Sequence, residues 1–281
     1  MSPVERTSII CPNCRKLISS YEERCPYCGT KNPGSRWRID LLTSLFRRYD
    51  LISVIIGTNA AFFILSLVLN TSSVGMSANP LTLLSPSNNS LLLLGATGTI
   101  PIGHFHWWWT LISASYLHGG VLHIFFNMIA LYQIGPFVRN EYGPHRFFII
   151  YTISGIVGFF ISYLAGVSFT IGASASLCGL IGATLFYGKS RGGSFGTAIY
   201  RQVLGWVVVL IVFGFLVQGI NNWAHGGGIV TGIAGGFLLG YNEKRFETAA
   251  HRLLANVFLL LTVLVLVWAV FQALYHTLFS F

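Results

Sequence analysis

The sequence predicts an all-α polytopic membrane protein with a small zinc ribbon in front of its helices. Of the 281 residues, 53% are hydrophobic and only 9% are charged, whereas an average soluble domain carries about 25% charged residues. Long apolar runs follow one another from residue 51 onward, so lipid is the solvent for most of the chain. Four of the five cysteines lie outside these runs, in two Cys-x-x-Cys pairs near the N-terminus.

Residues 1–35 are predicted to form a cytoplasmic zinc-ribbon-like domain. Its ligands would be the two cysteine pairs, Cys11 with Cys14 and Cys25 with Cys28. Each pair folds as a tight turn that directs two sulfurs at one metal, and four thiolates satisfy tetrahedral Zn²⁺. Because so short a segment buries little apolar surface, the zinc would be a structural cofactor. Disulfides or a thioredoxin-like redox pair are the alternatives, although no βαβ pattern surrounds either pair.

A basic linker, residues 36–50, leads to the membrane. The first fifty residues are polar and hold nine Lys or Arg, so we expect no cleavable signal peptide. The segment 70–109 is rich in Asn, Ser, Pro and Gly, and we predict a loop that lies on or dips into the outer leaflet. The predicted spans are 51–69, 121–137, 147–167, 171–187, 203–220, 223–241 and 253–278.

The charges indicate how these spans are oriented. With the N-terminus inside, all seventeen Lys and Arg residues fall in inner segments, at 1–50, 138–146, 188–202 and 242–252. Because positive residues stay on the cytoplasmic side, we expect a cytoplasmic N-terminus and an outer C-terminus in a prokaryotic cell membrane. The net charge of +9 therefore reports topology, and we expect the lipid bilayer, and no nucleic acid, as a partner.

Polar residues near the outer ends of three spans could carry chemistry. In this topology Ser174 and His225 lie at one depth, where they would make a nucleophile and its base. His123 and Asn127 are four residues apart on one helix face, so they could present two donors to an oxyanion. Taken alone, a Gly-x-Ser in a membrane helix is more often a packing motif, and Asn127 could serve only as an interhelical hydrogen-bonding residue.

Small residues recur every four positions in the two spans that carry Ser174 and His225. The rows are Ala175, Gly179 and Ala183 in one span, and Gly228, Gly232, Gly236 and Gly240 in the other. Such faces let two helices pack backbone to backbone. A direct hydrogen bond between Ser174 and His225 would require this close packing.

From Gly95 to Tyr241 the chain resembles the rhomboid family of intramembrane serine proteases. The matching motifs are Leu117–Asn127 with both of its histidines, Glu141-Tyr-Gly143, Gly172-Ala-Ser174 with Gly179, and Ala224–Gly228. The resemblance implies a rhomboid-like six-helix core at 51–241. A short inner loop and one added C-terminal helix would then occupy 242–281.

The resemblance also implies an activity. It is the hydrolysis of peptide bonds in single-span or polytopic membrane proteins, near the outer leaflet, by a Ser-His dyad. Ser174 would be the nucleophile and His225 the general base. The Ser174 backbone N–H, Asn127 and His123 would form the oxyanion hole.

Three residues depart from the family pattern: Ala175 stands for a glycine, Cys178 for a residue that is often aromatic, and Thr110 for a structural arginine. One alternative function is a catalytically inactive relative that binds transmembrane clients. Such relatives lose the serine or the histidine, and both are kept here. A second alternative is a metal or haem site built from His104, His106, His118 and His123.

Overall fold

Seven helices of at least 18 residues dominate the described chain. The structure is a computed structural model, and it describes residues 8–11, 14, 16–34, 50–69, 83–217 and 219–279. The helices are α1 Leu51–Val68, α2 Val121–Tyr142, α3 Pro144–Leu164, α4 Ser174–Arg191, α5 Gly193–Leu216, α6 Asn222–Leu239 and α7 Ala249–Phe279. The predicted all-α membrane fold is confirmed, and each predicted span overlaps one helix.

Five of these helices, α1, α2, α3, α5 and α7, are long and apolar enough to cross a membrane. The sequence predicts seven spans, and α4 and α6 fall short of this criterion. Both are rich in small residues, and α6 begins with Asn222 and carries His225 in its first turn. Helix α4 is buried among other helices and therefore needs less apolar surface than a helix that faces lipid. The two helices that miss the criterion are the ones that carry Ser174 and His225.

Helix α4 lies at the centre of the bundle, with 13 of its 18 residues buried. It packs on α6 through backbone, because a Cβ added to Gly228 would clash with the Ala175 carbonyl and one added to Gly232 with the Gly179 carbonyl. Most of the predicted small-residue faces therefore do meet. Gly240 is the exception, since it lies after the last residue of α6 and ends that helix with a φ of +68°.

Residues 35–49 of the predicted linker and 70–82 of the predicted loop lie outside the described residues. From residue 83 to α2 the chain is built from short turns, as expected for a loop. It contains the helices Asn88–Leu93 and Thr110–Ser113, a π-helical turn at Ile100–His104 and a 3-10 turn at Ala114–Tyr116. The backbones of Thr97 and Thr170 pair through two hydrogen bonds of 3.0 and 2.7 Å. The Thr110 hydroxyl donates to the Trp107 carbonyl at 2.6 Å, and its oxygen lies 3.0 Å from the Thr97 hydroxyl. Hydroxyl and backbone contacts thus stabilise this loop where the family has an arginine.

At the other end of the bundle, the loop between α6 and α7 is hydrogen-bonded to the start of α3. The completely buried Arg146 donates 2.8 Å hydrogen bonds to the carbonyls of Gly240 and Arg245. The Glu247 carboxylate accepts the backbone N–H of His145 at 2.9 Å and of Arg146 at 3.2 Å. Burial alone would raise the pKa of Glu247, but these hydrogen bonds, with the charges of His145 and Arg146, hold it below its ordinary value.

The N-terminal segment forms a two-stranded hairpin with cysteines beside it. Strands β1 (Ser8–Ile10) and β2 (Leu17–Ser19) pair antiparallel. The backbone N–H groups of Cys11 and Cys25 donate to carbonyls five residues later, at 2.8 Å each. These hydrogen bonds close the two tight turns that the Cys-x-x-Cys pattern predicted. The core of this hairpin is Ile18 packed on the cysteines.

Candidate active site

The side chains of Ser174 and His225 are hydrogen-bonded to each other. His225 Nε2 lies 2.9 Å from Ser174 Oγ, although the residues are 51 positions apart. Ser174 is the first residue of α4, and His225 is in the first turn of α6. The first N–H groups of a helix lack partners within the helix and carry a partial positive charge. Ser174 therefore lies where a developing negative charge is stabilised.

The second ring nitrogen of His225 has no orienting group. Its Nδ1 is buried and has no hydrogen-bond partner among the residues that the structure describes. In a serine triad, a carboxylate binds this nitrogen and holds the ring. The geometry here is a pair of two residues, and the sequence has no Asp or Glu between Glu141 and Glu243, the stretch that holds both of them.

His123 lies beside Ser174, across a gap left by a glycine. The Gly119 backbone N–H donates to His123 Nδ1 at 3.2 Å, so the neutral ring carries its proton on Nε2. A Cβ on Gly172 would lie 2.8 Å from His123 Nε2 and 3.6 Å from Ser174 Oγ. Gly172 also has a φ of +123°, which disfavours any side chain. The backbone thus leaves a space between a nucleophile and a proton donor.

Asn127 is buried one turn after His123 on α2, and its hydrogen bond runs elsewhere than predicted. Its Nδ2 donates to the His123 carbonyl at 2.8 Å. The structure therefore joins Asn127 to His123 rather than directly to Ser174. An amide nitrogen carries two protons, so one donor remains beyond this hydrogen bond.

Two of the departures from the family pattern face neighbouring helices. The fully buried Ala175 directs its Cβ at α3, 3.2 Å from where a Cβ on Gly158 would lie. The Cβ of Cys178 lies 3.0 Å from where a Cβ on Gly228 would be. Both side chains fill space that glycines provide.

Asn221 is a polar residue at this site that sequence reasoning missed. It precedes α6, and its side-chain oxygen accepts the Ala224 N–H at 3.1 Å. Its Nδ2 donates to Ser162 at 2.5 Å and to Thr170 at 2.9 Å. An asparagine directly before an apolar helix is a helix-capping signal, which could have identified it.

The four N-terminal cysteines are gathered as a metal site requires. Their sulfurs all lie within 4.8 Å of one another, with Cys11 and Cys28 at 3.7 Å and Cys14 and Cys25 at 3.6 Å. Four sulfurs about 2.3 Å from a central zinc would lie about 3.8 Å apart. The separations of 3.6 and 3.7 Å are much longer than a disulfide bond of about 2.05 Å, so the disulfide alternative does not apply in this structure. Desolvation raises the pKa of Cys14 to about 12, so a bound cation would be needed to hold its thiolate at neutral pH.

The alternative metal or haem site is not assembled in the described part of the chain. There, the four cysteines are the one group of three or more potential His, Cys, Asp or Glu ligands that could hold a metal ion. The rings of His118 and His123 do pack edge to face, with centroids 5.0 Å apart. His104 and His106 do not join them as a ligand set.

Comparison with known proteins agrees with this geometry. A family model described as Rhomboid domain matches residues 106–242. Rhomboid protease GluP of Bacillus subtilis is 31% identical over 176 residues, which are 63% of this chain and 34% of that protein. RHOMBOID-like protein 1 of Arabidopsis thaliana is 31% identical over 212 residues, which are 68% of this chain and 52% of that protein.

The chain therefore spans about a third to a half of the length of these two relatives. It covers more of YdcA, a rhomboid relative from Bacillus subtilis: 30% identity over 146 residues, 50% of this chain and 71% of that protein. The family match, these relatives and the five apolar helices together identify a multi-pass integral membrane protein. The chain belongs to the rhomboid family.

Proposed function

We propose that this protein is an intramembrane serine endopeptidase that cleaves transmembrane substrates near the outer leaflet. The observation that carries the proposal is the 2.9 Å contact of His225 Nε2 with Ser174 Oγ at the start of α4. A serine in contact with a base, at a helix N-terminus, has the two features that activate a weak nucleophile. The name of GluP describes a rhomboid protease, which supports the same reaction class.

The reaction would proceed through an acyl-enzyme. His225 takes the proton of Ser174 Oγ as that oxygen bonds to the scissile carbonyl carbon. The C–N bond then breaks, and His225 gives the proton to the leaving amine, so that the acyl part of the substrate is held as an ester on Ser174. Water attacks the ester and loses a proton to His225. The C–Oγ bond then breaks, and the proton returns to Ser174.

The oxyanion would form in the space beside Gly172. His123 Nε2–H faces this space, because Gly119 donates to Nδ1. The Ser174 N–H is free of intrahelical bonds at the start of α4 and would be a second donor. The remaining Asn127 amide proton would be the third, since its other proton is used on the His123 carbonyl. Each such donor contributes on the order of 3 kcal/mol to transition-state stabilisation.

The distribution of charges supports the proposed orientation of the chain. With a cytoplasmic N-terminus and an outer C-terminus, every Lys, Arg, Asp and Glu falls in an inner segment. The proposed location is a prokaryotic cell membrane. The proposed units are a ribbon at 1–35, a linker at 36–50, a catalytic core at 51–241, and an inner loop with a final helix at 242–281. Single-span or polytopic proteins in the same bilayer would be the substrates.

We propose further that the four cysteines hold one structural Zn²⁺. The sulfur separations of 3.6 and 3.7 Å support this, because they match a tetrahedral thiolate site. Four protein ligands leave no open coordination position, so the metal would stabilise the fold and take no part in catalysis. We expect one zinc per chain under reducing conditions, with loss of that zinc in Cys11→Ser and retention in Cys178→Ser. Full-length protein without bound zinc would refute this.

The protease proposal is tested with full-length protein reconstituted in liposomes with a fluorescent single-span substrate. We expect cleavage by the wild type and none by Ser174→Ala or His225→Ala. Ser176→Ala is the matched control, because this buried serine lies in the same turn but its hydroxyl has no hydrogen-bond partner among the described residues. A wild type that cleaves no substrate of a panel would favour the inactive client-binding relative instead. A Ser174→Ala variant that cleaves equally well would refute Ser174 as the nucleophile.

A further inference from the structure

Asn221 makes more connections than a helix cap requires. Its side-chain oxygen caps α6 by accepting the Ala224 N–H, and its backbone carbonyl accepts the His225 N–H at 3.1 Å. Capping uses only the oxygen of the amide. The nitrogen is engaged separately, on Ser162 and Thr170. The residue therefore fixes the backbone of His225 relative to two other segments.

Those two segments also position the serine side of the site. Ser162 is fully buried near the end of α3, and Thr170 lies in the connection that leads to Gly172 and Ser174. Thr170 is itself held by its backbone pairing with Thr97. The Gly172 N–H donates at 2.8 Å to the carbonyl of Ala114, so the segment between α3 and α4 is also held close to Ser174.

Elsewhere at this end of the bundle, α4 and α6 pack against each other through small residues, which have no polar side chain to form a hydrogen bond between the helices. Packing of this kind fixes the distance between two helices but permits small rotations and slides. The imidazole of His225 has no partner at Nδ1 to correct such a displacement. A hydrogen-bonded clamp on the α6 backbone, four residues before His225, supplies the missing constraint.

We propose that Asn221 is a positioning residue that sets the His225 ring against Ser174, through its hydrogen bonds to Ser162 and Thr170. The proposal rests on the protease function, because it assigns Asn221 the orienting task that a triad carboxylate would otherwise perform. Asn221 itself does not touch substrate. It acts on the backbone that carries the base, and a displacement of about 1 Å at a reacting group costs up to a hundredfold in rate.

The test compares three variants in the liposome assay, with rates expressed per folded molecule. Asn221→Ser keeps a capping oxygen but is too short to reach Ser162 and Thr170, whereas Asn221→Ala removes both functions. Thr170→Val removes one acceptor. We expect kcat to fall about tenfold to a hundredfold in both Asn221 variants, with KM unchanged, and less in Thr170→Val. Labelling of Ser174 by a fluorophosphonate, which needs the base but not the substrate, should slow by the same factor.

Controls separate positioning from folding. The melting temperature of Asn221→Ser should be close to that of the wild type, because the cap of α6 is kept, whereas its kcat should fall. Thr231→Val removes a hydroxyl of α6 that bonds only within the helix, to the Gly227 carbonyl, and should leave kcat unchanged. Adding Thr170→Val to Asn221→Ala should lower kcat little further, because both changes remove the same Asn221–Thr170 hydrogen bond.

Three outcomes would overturn the inference while leaving the protease function standing. They are an Asn221→Ser enzyme with wild-type kcat, a loss confined to KM, or additive effects of Asn221→Ala and Thr170→Val. Failure of the protease function itself is distinguishable, since the wild type and Ser174→Ala would then behave alike.

Discussion

Gly232 of α6 lies directly on the backbone of Gly179 of α4, where a methyl group would clash with the Gly179 carbonyl oxygen. This contact lies within about two helical turns of Ser174 on α4 and of His225 on α6, which are at the N-terminal ends of these helices. Because the helices are rigid, their separation at the contact determines their separation at the dyad.

Gly232→Ala should therefore force α4 and α6 apart. We expect a loss of about 1–3 kcal/mol in unfolding free energy, as for overpacked cores, together with a fall in kcat of at least tenfold. Thermal melting in detergent and liposome cleavage measure the two effects. Gly235→Ala on the same helix is the control, because its Cβ would make an ordinary 3.5 Å contact with Ile150. Equal behaviour of the two variants would contradict the packing argument.

Gly172→Ala should fill the space proposed for the oxyanion. Its Cβ would lie 2.8 Å from His123 Nε2, so we expect kcat to fall by about a hundredfold or more. The positive φ adds strain of its own, and Gly166→Ala corrects for it, because Gly166 has a φ of +82° with open space around it. The prediction fails if both variants lose stability and activity to the same degree.

Ala175→Gly should leave kcat unchanged, although it restores the residue of the family pattern. The methyl of Ala175 faces Gly158 on α3 and not the space beside Gly172. Removing it should cost about 1 kcal/mol of stability through lost helix propensity. The reciprocal change, Gly158→Ala, should damage both stability and activity, because its Cβ would lie 2.6 Å from the Ala224 carbonyl. A faster Ala175→Gly enzyme would show that the methyl does crowd the site.

Glu247 should contribute stability that disappears in acid. Its pKa is lower in the folded protein than in the unfolded chain, so the contribution is complete above the unfolded value, about pH 4.3. It is lost as the pH falls through the folded value. Glu247→Gln should lower stability by about 1–3 kcal/mol at pH 7, with a smaller difference from wild type below pH 4.

Glu243→Gln is the control for this comparison. Glu243 pairs with Arg191 at 3.0 Å, but its side chain is 49% exposed, and exposed pairs contribute under about 1 kcal/mol. Melting temperatures of both variants and the wild type across pH 3.5–7 would measure how the contribution of Glu247 to stability depends on pH. A pH-independent defect in Glu247→Gln would indicate lost packing rather than lost charge.

Much of the fold could be predicted from sequence, because lipid imposes simple rules. Apolar length identified helices such as Leu51–Val68, and the four-residue rows predicted which faces of α4 and α6 meet. A threshold on mean hydropathy misses two helices. Helix α4 is mostly buried among other helices, whereas α6 is rich in glycine and begins with polar residues, and both fall below the hydropathy of a typical span. The apolar runs at 171–187 and 223–241 nevertheless located the helices that carry Ser174 and His225.

The Ser174–His225 pairing was anticipated from depth and spacing, but its supports were not. Asn221 donates hydrogen bonds to residues 51 and 59 positions away, and no local pattern reveals such partners. Asn127 shows the opposite difficulty. Its position one turn after His123 was clear, but the spacing does not reveal that its amide donates to the His123 carbonyl.

The distribution of charge along the helices has a consequence for how the site responds to its surroundings. The nearest charged residue to Ser174 along α4 is Lys189, about 22 Å away at the helical rise of 1.5 Å per residue. Mobile ions screen over about 8 Å in physiological saline. Lys189 is more than two such lengths from Ser174, so the partial positive charge at the start of α4 is the main field that this helix supplies to the Ser174–His225 hydrogen bond. Substitution of Lys189 by a neutral residue should therefore leave that hydrogen bond unchanged.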